Sequence, residues 1–456
     1  MFLQVFSSFL TENIRERTNI VSSDFSMSSV SKRAVKIAIP VFLVVILGVS
    51  IFSVQLFYSN ATPAKADPGV YVGIAYGGDT IEDAKTLIDR VEGYTNLFIL
   101  DSGRNALSRN ETNVEEVCDY AVANGLSIIV NLGIEVVDNK SDSTWFWQQP
   151  INETIERWNQ RWGGKFLGIY YNDEPGGIQL DGDWANWFRL INGENLNKIG
   201  WETTDLLYQI YQKMKDTMIN GTFPQNYDLE ANFFVNGVLK SDPGFVELSN
   251  AGITTFTSDY GLYWWDYLGG YNVMFTELGW NASVAEQIAL IKGAARMQNK
   301  DWGAMITWKY DSLPYLDEGY QIYNQMMAAY QAGAKFITVF NYPYEDGNYG
   351  TLGNDQFFYL YRFWNDITTQ KFPDLSGPNA ALVLPKNFGW GMRHPNDTIW
   401  GFWTTTTDSR TIQVAMITSM LLDYYGTQLD IIYQDNTFPV ANMGYRHIYY
   451  WNSTAL

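Results

Sequence analysis

"VYVGIAYGGDTIEDAKTLIDRVEGYTNLFILDSG", residues 70–103, is the stretch that decides the fold. Residues 70–78 are apolar and end in glycines, the pattern of a short parallel strand covered on both faces. Thr80 and Asp83 then stand where a helix begins, and Ile81, Ala84, Leu87, Ile88 and Val91 follow at helical spacing. Gly93 supplies the stop, and a second apolar run, 96–103, completes a strand–helix–strand unit.

The unit repeats along the chain. Thr112 and Glu115 form a capping-box pattern for a helix that ends at Gly125, before the next strand at 126–134. Further strands are expected at 165–171, 228–237, 253–261, 271–280, 302–310 and 335–343, with helices over 283–299 and 318–333. Repeated βα units predict an α/β fold, and eight of them close a (β/α)8 TIM barrel, here over 70–373. The pattern yields nine strands, so one stands outside the barrel or is not a strand; an open doubly wound sheet is the alternative. A small α/β module is expected over 374–456, with strands at 380–385, 429–435 and 446–452 around a helix at 411–426. The loop 386–403 joins it to the barrel.

Upstream, residues 37–57 carry no charge over a length that spans a bilayer. Lys32, Arg33 and Lys36 precede them, which places 1–36 in the cytoplasm and the rest of the chain outside. Residues 58–69 read as a linker. A cleaved signal peptide is the alternative, with small residues at 64–66, and Met27 is a second candidate start. Eight Asn-x-Ser/Thr sequons, at Asn60, Asn110, Asn139, Asn152, Asn220, Asn281, Asn396 and Asn452, agree with export to the extracellular side of the cell membrane as a glycoprotein.

Composition narrows the chemistry. A net charge of −19 leaves no basic footprint for nucleic acid. Two histidines, His394 and His447, and one cysteine, Cys118, cannot build a His- or Cys-based metal site, and no cofactor is implied. Cys118 shares a helical face with Val114, Val117 and Ala121 and belongs to the core. The ends of the expected strands, where barrel enzymes carry their reactive groups, hold almost only carboxyls: Asp101, Glu135, Asp173, Glu174, Asp259, Glu277, Asp311, Glu345 and Asp346. Trp145, Trp147, Trp264, Trp265, Trp280 and Trp308 lie near them, the rings on which sugars stack. Paired carboxyls in an aromatic cleft are equipped to cleave a glycosidic bond, one as proton donor and one as nucleophile or base.

At "NDEP" (172–175) and "FTELGW" (275–280) the chain resembles the clan A glycoside hydrolases. In that clan the acid/base Glu follows strand four and the nucleophile Glu ends strand seven. The resemblance implies Glu174 as acid/base and Glu277 as nucleophile of a retaining reaction, with Trp308 as a strand-eight aromatic. Asp173 stands where the clan has Asn, so it either contacts a sugar hydroxyl or is itself the acid. Asn172, Asp101, Asp259, Tyr260, Trp264 and Asp311 are the remaining candidates for binding a glycan substrate. Barrel plus module is similar to the layout of family 42 beta-galactosidases, whose barrel precedes a class I glutamine amidotransferase-like domain; the arrangement also resembles archaeal surface proteins. The module here has no cysteine for amidotransfer and is read as structural or as forming a homo-oligomer.

Each residue also has a plainer reading. Asp173 and Glu174 could cap the helix after Pro175 or pair with Arg189, Glu277 could bond a backbone amide, and Asp101, Asp259 and Asp311 could cap loops. The tryptophans could be core, and Arg393 and His394 could seal the module against the barrel. The competing functions are a silent carbohydrate-binding or envelope protein on the same scaffold, or a glycan lyase or transferase.

Overall fold

The computed structural model describes residues 69–102, 107–108, 110–131, 151–181, 225–280, 282–342 and 349–453. The segments expected at 1–36 and 37–57, and the linker to residue 68, lie outside these residues, as do Glu135, Trp145, Trp147, Arg189, Glu345 and Asp346. No helix among the described residues is long and apolar enough to cross a membrane.

Eight parallel strands form a closed barrel: β1 (Tyr71–Tyr76), β2 (Leu97–Leu100), β3 (Ser127–Asn131), β4 (Phe166–Tyr170), β5 (Thr255–Asp259), β6 (Val273–Leu278), β7 (Asp301–Ile306) and β8 (Phe336–Asn341). β8 returns to β1 in register from Tyr71↔Phe336 to Tyr76↔Asn341. Around it lie α1 (Ile81–Val91), α2 (Glu111–Ala123), α3 (Ile151–Trp162), α4 (Pro175–Leu180), α5 (Tyr227–Asn232), α6 (Pro243–Asn250), α7 (Tyr263–Gly269), α8 (Val284–Gln298), α9 (Gly319–Gln331) and α10 (Asn354–Thr369).

The opening unit folds as its spacing predicts. Thr80 Oγ1 accepts from the Asp83 amide at 3.1 Å, and Ala84, Leu87, Ile88 and Val91 are buried. In α2 the cap is Asn110 rather than Thr112. Its Oδ1 reaches the amides of Thr112 (2.9 Å) and Asn113 (3.4 Å), so the helix is capped two residues before the expected box.

The ninth strand is a helix. Over 228–237 the chain forms α5, capped by Asn226 Oδ1 on the Leu229 amide at 3.1 Å, and continues as a π-helical segment, Phe233–Leu239. A short apolar run such as Phe233-Phe234-Val235 looks alike in a buried strand and a buried helix. The Asn226 cap is the signal that separates them. Glu277 therefore ends the sixth strand, not the seventh, and Trp308 follows the seventh, not the eighth.

Alternation along the strands divides the core. One cluster fills the barrel interior, where the rings of Phe256, Phe275 and Phe336 meet with centroids 5.4–6.2 Å apart. Burying each ring contributes about 1.5–3 kcal/mol. The plug also forms a dry floor one layer below Ser258 and Glu277, which follow Phe256 and Phe275 by two residues on β5 and β6.

The module is a three-stranded parallel sheet, β9 (Ala380–Leu384), β10 (Leu429–Tyr433) and β11 (His447–Tyr450), in the order β10-β9-β11, with α11 (Arg410–Tyr425) between β9 and β10 in sequence. It docks on α8. Asp430 of β10 pairs there with Lys292 at 2.9 Å and Arg296 at 2.6 Å, and accepts from Tyr445 at 2.7 Å. Gly293 permits the approach, since a Cβ there would stand 2.4 Å from the Ile431 carbonyl oxygen.

Candidate active site

The sequence raises the question of why a strand delivers two adjacent carboxyls and then Pro175-Gly176-Gly177. These residues open α4, with Pro175 in its first turn where a missing N–H costs nothing. Glu174 occupies the N-cap position but does not cap. Asp259, at the end of β5, caps instead: it accepts from the amides of Gly176 (2.6 Å), Gly177 (2.9 Å), Tyr260 (2.7 Å) and Gly261 (3.2 Å). Gly177 must lack a side chain because a Cβ would come 2.2 Å from the Tyr260 ring. Capping in trans frees the Glu174 carboxyl.

That freedom carries a conformational cost. Asn172 and Glu174 both adopt left-handed backbone, with φ of 51° and 48°. Such positions cost about 1–3 kcal/mol each in a non-glycine residue and cluster at functional sites. Here they turn Glu174 toward Glu277, and the two carboxyls are hydrogen-bonded to each other. Burial, the Glu277 charge and Asp173 push the Glu174 carboxyl up to about 12. Glu277, 4 % exposed, is raised by burial and by Asp173 to about 7, against the donors Ser258, Glu174 and Trp280, which lower it. Glu174 thus keeps its proton at neutral pH, whereas Glu277 titrates near it.

Two hydroxyls complete the cluster. Ser258 Oγ lies 2.5 Å from Glu277 Oε1 and 2.8 Å from the Tyr170 hydroxyl. The Tyr170 hydroxyl also bonds Asp173 Oδ1. Trp280 Nε1 donates to Glu277 Oε2 at 3.4 Å. At the end of β2, Asp101 accepts from Asn131 Nδ2 at 2.5 Å; burial and the charge of Asp173 raise its carboxyl well above the usual range. The largest influences on Glu174 and Glu277 are burial, other carboxyls and neutral donors. Among the described residues no group of His, Cys, Asp and Glu is arranged to hold a metal ion.

The expected site residues divide. Glu174, Glu277, Asp173 and Asp101 come together. Asp259 is committed to four backbone amides and positions α4 rather than meeting substrate. Asn172 gives its carbonyl to the Thr257 hydroxyl. Tyr260 borders Glu174 and donates to Asp181 at 2.6 Å. Asp311 is exposed on the loop after β7, outside the hydrogen-bonded cluster. Trp264 is no sugar platform: it is 2 % exposed and packs on Tyr433 and Phe438, while Trp265 packs on Tyr433 and Trp400. Both belong to the joint between barrel and module, where adjacent bulky rings find core. Arg393 seals rather than lines the cleft, pairing with Asp181 at 2.6 Å and Asp397 at 2.7 Å.

The aromatic wall beside Glu277 is built by Trp280, 43 % exposed, and by Trp308, whose ring centroid lies 6.0 Å away and meets those of Tyr315, Phe340 and Tyr342. Sequence reasoning missed Tyr170 and Ser258. Their signal was a hydroxyl at an inward position one layer above the apolar plug, readable only once the strand register is fixed.

No protein-family model matches the sequence, nor does any curated protein. Solved structures similar to this chain include a beta-galactosidase from the psychrophilic Marinomonas ef1, at 11 % identity and a TM-score of 0.45 over 80 % of this chain and 70 % of that one. GH5_18 from Streptomyces cattleya, in complex with GlcNAc, has 10 % identity and a TM-score of 0.45 over 84 % and 98 %. The catalytic module of a family 98 glycoside hydrolase from Streptococcus pneumoniae TIGR4 has 10 % identity and a TM-score of 0.39 over 85 % and 66 %.

Proposed function

We propose that the chain is a glycoside hydrolase that cleaves glycans by a two-carboxylate, retaining mechanism. Glu174 is the acid/base and Glu277 the nucleophile. The observation that carries this reading is the meeting of a proton-holding Glu174 and a readily ionised Glu277 at one strand-tip cluster, beside the exposed ring of Trp280. Carboxyls in hydrogen-bond contact are closer than the ~5–5.5 Å of a retaining pair and much closer than the ~6.5–9.5 Å of an inverting one. A small swing of Glu174 onto the glycosidic oxygen opens the retaining distance, whereas room for an inverting water needs a far larger one. The retaining reading survives the correction of the strand count, because it rests on which carboxyls meet and not on the strand that bears them.

Uncharged residues 37–57 behind a basic flank support a single-pass membrane anchor with the barrel outside the cell. The module over 374–456 is read as structural. Screening the protein against aryl-glycosides and glycans tests the activity. In Glu174→Gln and Glu277→Gln, turnover of any active substrate should fall by about 10²–10⁴-fold, the usual worth of a positioned acid or base. Undiminished turnover in either variant removes that residue from the reaction. Glycan binding without turnover in the native protein would leave a silent binding protein.

A further inference from the structure

Five side chains touch in a row: Asp173, Tyr170, Ser258, Glu277 and Glu174. Four oxygen–oxygen links join neighbours along the row, and each needs one proton; Ser258 Oγ also lies 3.4 Å from Asp173 Oδ1, beyond the usual reach of an O–H···O bond, about 2.5–3.0 Å, so that contact demands none. The Tyr170 and Ser258 hydroxyls supply two. The Ser258 amide cannot serve in their place; it already donates to the Tyr170 oxygen, at 3.0 Å. If all three carboxyls were ionised, the Tyr170–Ser258 contact of 2.8 Å, or one beside it, would press lone pair on lone pair in a buried place. Two carboxyl protons fill the row, whichever of the three acids carries the remaining charge.

Of the row's two ends Asp173 is exposed and Glu174 half-buried, whereas Tyr170 at 0 %, Ser258 at 1 % and Glu277 at 4 % exposed lie buried between them. We infer that these five residues form one proton relay, which keeps two protons on its three carboxyls and connects buried Glu277 to solvent through Asp173. The hand-over balances. Asp173 passes its proton to Tyr170, Tyr170 passes its own to Ser258, and Ser258 passes its own to Glu277. Three O–H bonds break, three form, and the negative charge moves from Glu277 to Asp173. With the charge on Glu277, that carboxylate accepts from Ser258, Glu174 and Trp280 together, which is the state a nucleophile requires. Tyr170 and Ser258 are then positioning residues, and this role in turnover rests on the hydrolase reading above. The other titratable groups facing the row are Asp101 from β2, Asp259 and Tyr260 at the end of β5, Tyr263 on α7, and Tyr271 just before β6.

The test removes a hydroxyl and counts carboxyl protons. In Tyr170→Phe two links vanish, and the Ser258 proton plus one carboxyl proton satisfy the other two. In Ser258→Ala the middle links vanish, and the Tyr170 proton plus one carboxyl proton suffice. Infrared difference spectra at neutral pH should therefore show each variant losing the carbonyl stretch of one protonated carboxyl, although neither removes a carboxyl. An unchanged protonated-carboxyl band in both variants overturns the relay, whether or not the protein hydrolyses anything. Where a substrate is turned over, the acid limb of kcat/KM in Tyr170→Phe should move to lower pH by about one unit, a tenfold change in proton affinity. A limb that stays put while the rate falls would reduce Tyr170 to a packing role.

Discussion

Two carboxylates in this molecule are equally deep, Glu277 at 4 % and Asp430 at 1 % exposed, yet their surroundings are opposite. Asp430 faces Lys292, Arg296 and the Tyr445 hydroxyl where the module docks on α8. Glu277 faces Glu174, Ser258, Trp280 and the charge of Asp173. A buried charge with a cation on each oxygen holds two surfaces together. A buried charge among other acids is a cost to the fold, sustained where chemistry needs a group that titrates near neutrality. The contrast separates the structural joint from the candidate site without reference to any relative.

The contrast breaks first at the joint. Asp430→Asn leaves Lys292, 2 % exposed, without its counter-charge, and should cost about 3–5 kcal/mol, read from denaturant unfolding. The same measurement on Glu277→Gln should show no such loss, because that substitution removes an unfavourable charge. Equal losses at both positions would erase the distinction.

A smaller effect sharpens it through pH. Glu277 is raised from 4.5 to about 7 in the folded chain. Between those values the folded state holds a proton that the unfolded state has released, so stability falls as pH rises, and the fall levels off above about pH 7. At about 1.4 kcal/mol per unit the whole effect is of order 3 kcal/mol. Glu277→Gln should flatten this slope. A slope unchanged in the variant would assign the titration to another acid, with Glu230, raised by burial to about 8, as the first to examine.

Much of this was legible in the sequence, for reasons that also explain what was not. The barrel followed from repeated apolar runs and caps, because burial on both faces of a parallel strand leaves a plain pattern. Glu174 and Glu277 stood out because charge at the end of an apolar strand is conspicuous. The role of Asp259 was not legible: a carboxyl that caps a helix from a different strand has no local pattern, and in sequence it looks the same as a catalytic acid. Trp264 failed for a similar reason, since an aromatic pair reads alike whether it meets sugar or a second domain. The strand number of Glu277 turned on one helix cap, Asn226, set against an apolar run that favoured a strand.

The smallest effect is the most exacting for the joint. Replacing both partners, with Lys292→Met and Asp430→Leu together, removes the buried pair and leaves apolar groups of similar length. Arg296 keeps the Ser376 carbonyl in this variant, as Lys292 keeps that of Thr427 in the single one, but at 21 % exposed Arg296 reaches solvent, which Lys292 at 2 % does not. Tyr445 loses the acceptor of its hydroxyl, a debit of about 1–2 kcal/mol. Burying the new apolar atoms offsets part of that, and exchanges of this kind are often near neutral. The double variant should therefore lie within about 2 kcal/mol of the native protein and be more stable than Asp430→Asn alone. If the double variant is instead the weaker of the two, the ion pair itself, and not merely the avoidance of an unpaired lysine, holds the module to the barrel.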